Sequence, residues 1–101
     1  MDYYEHELDF KSSIRTDLNR SRAKNKGEKA FKRYLRNQAS NYIKRPSVRK
    51  YILERDEYKC VYCGSKENLQ IDHIISVFSG GQNKICNLQI LCRSCNAAKT
   101  V

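Results

Sequence analysis

The sequence predicts an α+β fold, with basic N-terminal helices leading into a small module of strand, loop and helix stapled by zinc. Two Cys-x2-Cys pairs, Cys60–Cys63 and Cys92–Cys95, bracket the C-terminal half and offer four thiolates to one tetrahedral ion. Between them, Leu69-Gln70-Ile71-Asp72-His73-Ile74-Ile75 alternates apolar and polar residues before turning apolar, the period of a half-buried strand. Before them, Phe31, Tyr34, Leu35, Ala39, Tyr42 and Ile43 recur at helical spacing among lysines and arginines. At 101 residues the natural count is one small unit. A core of about 50 residues is marginal without a staple, and the metal supplies one.

Taken in order, the first ten residues carry four acids and no Lys or Arg, and Met1-Asp2-Tyr3-Tyr4-Glu5 is acidic and aromatic where a secretory leader would be basic and apolar. Tyr4, Leu8, Ile14 and Leu18 suggest a weak first helix, and His6 reads as an ordinary surface histidine with no partner in the sequence. Gly27 breaks that segment from a basic amphipathic helix over 28–45. Pro46-Ser47 is the next break, with Ser47 as the cap of a short helix over 48–55. The expected division is therefore a helical, basic arm over 1–46 and a zinc module over 47–101. Tyr58, Val61 and Tyr62 are expected in a hairpin carrying the first cysteine pair. Ser79-Gly80-Gly81-Gln82-Asn83 is a loop, and the segment beginning at Asn87 is expected to run as helix to Lys99.

Two disulfides would need an oxidising compartment, and a redox motif would need only one cysteine pair within a βαβ unit, so zinc is the better reading. The fifth cysteine, Cys86, lies outside both pairs and reads as a small buried hydrophobe.

Charge is unevenly spread. Residues 11–50 hold fourteen Lys/Arg against two acids, whereas residues 51–101 hold six against five, so the basic surplus lies almost wholly in residues 11–50. A polyphosphate is the partner such a surplus attracts. A solvated helix face is the plainer explanation, and an anionic membrane surface a third, but no long apolar span or lipidation signal accompanies the arm. An acidic protein docked by the arm is a further alternative.

Asp72-His73-Ile74, the Gly80-Gly81 loop, Asn87-Leu88-Gln89 and Cys92-x2-Cys95-Asn96-x2-Lys99 together resemble the HNH endonuclease family. The likeness spans about residues 48 to 100, with Asn96 at the last motif position where histidine also occurs. It implies a ββα-metal fold and hydrolysis of DNA phosphodiesters. His73 would be the general base: an ordinary imidazole titrates near about 6.5, so much of it is free to take a proton from water near neutrality. Asp72 and Asn96 would offer hard oxygens to one catalytic Mg2+ or Mn2+, while Zn2+ stays with Cys60, Cys63, Cys92 and Cys95. Asn87 would orient the base histidine. Taken singly, each of these residues is more often a cap, a turn or a surface residue, and their conjunction reverses the odds.

For DNA contacts the sequence nominates Arg33 and Arg36 on the arm and Arg93 and Lys99 beside the second cysteine pair. Thr100, one helical turn after Asn96, is where some relatives place another metal ligand, and a frayed terminus explains it as well. One such module nicks one strand at a time, which leaves a homodimer or an accessory protein as a further partner. The analogy also implies the cytoplasm of a bacterial or phage-infected cell. The main alternative is a non-catalytic zinc module that binds nucleic acid, or a subunit of a larger restriction or phage DNA-processing assembly.

Overall fold

The computed structural model describes residues 6–99, so the expectations for Tyr4 and Thr100 lie outside the described residues. Helix α1, Ile14–Asn25, begins later than the apolar spacing suggested, because Ser13 caps it. The Ser13 hydroxyl accepts from Thr16 N and Thr16 Oγ1 accepts from Ser13 N, which satisfies two amides that a helix start leaves free. Ile14 and Leu18 are exposed, so α1 docks mainly by specific contacts. The Tyr34 hydroxyl donates to Thr16 O, and the Arg20 guanidinium lies 5.0 Å from the centre of the Phe31 ring.

Helix α2, Glu28–Ile43, starts after Gly27, whose φ of 108° lies in the region that favours glycine. Ala39 and Tyr42 are buried and Phe31 and Leu35 half-buried, the face expected from the spacing. Helix α3, Pro46–Arg55, opens with Pro46 at a first-turn position, where its missing N–H goes unused. Ser47 is therefore inside the helix rather than its cap, and Arg45 occupies the capping position.

Strands β1, Leu69–His73, and β2, Leu88–Cys92, form an antiparallel pair in which Asp72 faces Gln89 and His73 faces Leu88. Helix α4, Arg93–Ala98, follows directly. The helix expected from Asn87 is thus a strand up to Cys92. All five residues of β2 are buried, so the strand has no polar face, and a short run of that kind reads alike as helix or strand. Its outer edge is closed by side chains and by the first cysteine pair: Arg55 donates to Leu88 O (2.6 Å), Asp56 Oδ2 accepts from Ile90 N (2.9 Å), and Ile90 O accepts from Val61 N (3.0 Å).

The expected hairpin at Tyr58–Tyr62 is absent among the described residues; the segment is a run of turns, with Glu57 and Tyr58 at positive φ, and Tyr58, Val61 and Tyr62 are exposed. It serves the cysteines instead of a sheet.

The main core gathers Tyr42, Val48, Ile52, Ile85, Leu88 and Ile90, with Leu8 and Phe10 packed against it. That core crosses the 46/47 boundary, joining α2 to the strand pair. A second, smaller cluster of Cys60, Leu91 and Cys92 sits under the cysteine pairs.

Residues 6–10 are docked into the module. Asp9 is 7% exposed, and its Oδ1 accepts from Ile85 N (2.8 Å), while Phe10 N donates to Asn83 O (2.9 Å). His6 is engaged too, contrary to expectation: its Nδ1 accepts from Leu8 N and its ring packs edge-on against Tyr51. Cys86 is exposed, not buried, because the short 3-10 turn Ile85–Asn87 sends Ile85 inward in its place.

Candidate metal centre and active site

The two cysteine pairs come together from opposite ends of the module. Gly64 N donates to Cys60 O and Cys60 N to Ser65 O, folding the first pair into a tight turn that uses a positive φ at Gly64. In the second, Cys92 ends β2 and its Sγ accepts from Cys95 N, so the sulfur caps α4. All four sulfurs lie within 4.8 Å of one another, with Cys63 and Cys92 at 3.6 Å. Four ligands at about 2.3 Å around a tetrahedral zinc stand about 3.8 Å apart, so the set fits that ion. Without a dication the thiols resist joint ionisation. Hydrogen bonding with Cys92 and Cys63 pushes the Cys95 thiol up to about 12. Burial opposes the Cys60 thiolate, but amides of Cys92, Cys63 and Tyr62 outweigh it and bring that thiol down to about 6.

A cleft of about 360 Å3 opens between α2 and β1, and Asp72, His73, Asn96, Lys99 and Arg36 all line it. A larger groove of about 470 Å3, between α1, α2 and the loop after β1, contains none of the first three. The period-2 strand puts Gln70 and Asp72 on one face, towards α4. There Asn96 Nδ2 donates to Gln70 Oε1 (2.7 Å), which orients the amide and leaves its oxygen as the atom for a ligand. Asp72 Oδ2 accepts from Gln89 Nε2 (3.0 Å) and from Lys99 Nζ (2.6 Å). Hard oxygens of Asp72 and Asn96 at one cleft suit Mg2+ or Mn2+ as a donor set.

Lys99 is committed within the fold. Besides Asp72, its ammonium donates to His73 O (2.7 Å) and Ile74 O (3.3 Å), so all three donors are used and α4 is tied to the end of β1. The side chains of this ion pair are each 14% exposed. A phosphate contact by Lys99 does not fit that arrangement. Arg33 and Arg93 are exposed outside the cleft, and Arg36 is the nominated arginine that lines it.

Asn87 takes a different part from the one expected of it. Its Oδ1 accepts from Ile75 N (2.9 Å), and its Nδ2 donates to Ile75 O (3.1 Å) and Gln82 O (2.9 Å). It clamps the loop that leaves His73, while the imidazole Nε2 meets Asn83 Oδ1 at 2.8 Å. Gly81 completes the clamp: its N donates to Ser76 O, and a Cβ there would overlap the Ile75 carbonyl. Sequence reasoning passed over Asn83, since an asparagine after two glycines is an ordinary turn residue.

The HNH endonuclease family matches residues 60–101. A probable HNH endonuclease of Lactococcus phage SK1 is 34% identical over 62 residues, covering 54% of this chain and 66% of that relative's length. No helix among the described residues is long and apolar enough to cross a membrane.

Proposed function

Since residues 60–101 belong to the HNH endonuclease family, we propose that this protein hydrolyses DNA phosphodiester bonds as a metal-dependent endonuclease. The observation that carries the reading is the shared cleft, which Asp72, His73, Asn96 and Arg36 all line.

In this reading His73 takes the proton of the attacking water, and its position at the end of β1 brings it beside Asp72. Asp72 and the Asn96 oxygen would hold Mg2+ or Mn2+, which when bound neutralises charge on the scissile phosphate and on the leaving 3′-oxygen. Arg36 attracts the strand into the cleft, with Arg33 and Arg93 meeting phosphates further along. Asn87 and Gly81 keep the loop after His73 from moving as the strand enters. Cys60, Cys63, Cys92 and Cys95 hold Zn2+ and thereby fix α4, so that Cys95 and Asn96, adjacent in sequence, serve different metals. The products are 5′-phosphate and 3′-hydroxyl ends. One module nicks one strand, and double-strand cleavage takes a homodimer, an accessory protein or a second encounter.

The work would be done in the cytoplasm of a bacterial or phage-infected cell, in restriction, homing or phage DNA processing. A non-catalytic nucleic-acid-binding module is the second reading, favoured by the Lys99 ammonium on Asp72 Oδ2, which neutralises the acid without a metal. Plasmid nicking in Mg2+ or Mn2+ by wild type and His73→Ala separates the two: the first reading expects nicking that the variant loses.

A further inference from the structure

Asn83 is the residue the hydrolytic reading leaves without a role, yet its side chain meets the ring of His73. An amide oxygen has no proton to give, so the imidazole nitrogen it faces must carry one. Asn83 Oδ1 stands 2.8 Å from His73 Nε2, a contact that fits a neutral ring with its proton on Nε2 and its lone pair on Nδ1. A base must present such a lone pair to water.

Asn83 is itself held. Phe10 N donates to its carbonyl (2.9 Å), and two residues on, Ile85 N donates to the buried carboxylate of Asp9 (2.8 Å). Asp9 Oδ2 in turn accepts from His6 N (2.9 Å), closing the N-terminal segment on itself. On the other side the Asn87 clamp fixes Gln82 O. Residues 82, 83 and 85 are therefore pinned from both directions, and Ile85 is anchored in the core. This is a path from the acidic N-terminal segment to the ring in the cleft.

Resting on the hydrolytic reading, we propose that Asn83 is a positioning residue, which the docked segment 6–10 holds so that its oxygen keeps the proton on His73 Nε2 and leaves Nδ1 to accept the proton of water. The step balances: water gives one proton to Nδ1, the hydroxide so formed bonds to phosphorus as the P–O3′ bond breaks, the departing 3′-oxygen takes a proton from solvent, and the imidazolium returns its own to solvent.

The test uses 15N-labelled, zinc-loaded full-length protein, with long-range proton–nitrogen spectra recorded well above the usual histidine range. His6 and His73 are the two histidines of the chain, and His6→Gln assigns them. Wild type is expected to show His73 protonated on Nε2. Asn83→Leu, similar in size but with no acceptor, is expected to lose that preference and to lower kcat for plasmid nicking about 10- to 100-fold, with KM and zinc content unchanged. Asn83→Asp, which keeps the oxygen, is expected to restore the Nε2–H form and most of kcat.

A wild-type His73 carrying its proton on Nδ1 overturns the proposal even if Asn83→Leu does not fold. So does an Asn83→Leu protein with an unchanged tautomer and kcat. Failure of the hydrolytic reading has a different signature: wild type nicks nothing while the Nε2–H form is intact.

Discussion

Replacing Arg55 with alanine removes the brace that seats β2, the strand from which both Cys92 and the partner of Asp72 project. The guanidinium donates to Leu88 O (2.6 Å) and Ile85 O (3.0 Å), and pairs in fork fashion with Asp56, whose Oδ2 also receives Ile90 N. Charge-assisted bonds of this kind contribute about 1.5–3 kcal/mol each. Both bonds are part-buried, so water replaces the guanidinium in part and the lower end applies to both. The Arg55 side chain is 33% exposed, so its ion pair with Asp56 adds little. Together the loss is about 3 kcal/mol. Urea unfolding at a fixed excess of zinc, followed by tyrosine fluorescence because the chain has no tryptophan, measures it as a fall in midpoint at constant slope. Arg55→Lys should recover only part, because a point charge cannot span two carbonyls and a carboxylate. A loss below about 0.5 kcal/mol for Arg55→Ala, the scale of an ordinary surface change, would refute the brace.

Three further outcomes follow from the site. Gly81→Ala puts a Cβ into the Ile75 carbonyl, so the loop after His73 must shift; nicking should fall at least about tenfold with zinc content intact, by the geometric sensitivity of positioned groups. Zinc should leave as pH falls, since protons compete for the four thiolates, and its release should bring loss of the near-ultraviolet dichroism of the folded state. Arg36→Glu should weaken DNA binding and flatten its salt dependence by about one unit of slope or more, whereas Arg33→Glu, outside the cleft, should do so less.

The parts of this molecule that chemistry writes locally were legible. Cysteine spacing predicted a four-sulfur cluster, and the alternation around Asp72 predicted β1, since each depends on residues near in sequence. The strand Leu88–Cys92 was not legible as a strand because tertiary contacts bury every one of its side chains, erasing the period that marks a half-buried strand. The turns at Tyr58–Tyr62 were misread for the opposite reason: β-prone residues there are exposed and follow the metal-site backbone, with Glu57 and Tyr58 at positive φ. Asp9 and Phe10 escaped notice because their partners are main-chain groups of Ile85 and Asn83, which carry no signature in side-chain type. Asn87 and Asn83 show the same limit within the site: which asparagine meets the imidazole depends on a loop closure that the sequence does not spell out.

Cleavage of DNA is proposed for the cleft that Asp72, His73 and Asn96 line. Supercoiled plasmid incubated with the zinc-loaded protein and Mg2+ or Mn2+ tests it most directly, beside a His73→Ala protein matched for zinc content and fold. Wild type is expected to yield open-circular product, abolished by chelation and lost in His73→Ala. Equal cleavage by the two proteins, or none by wild type in either metal, would contradict it.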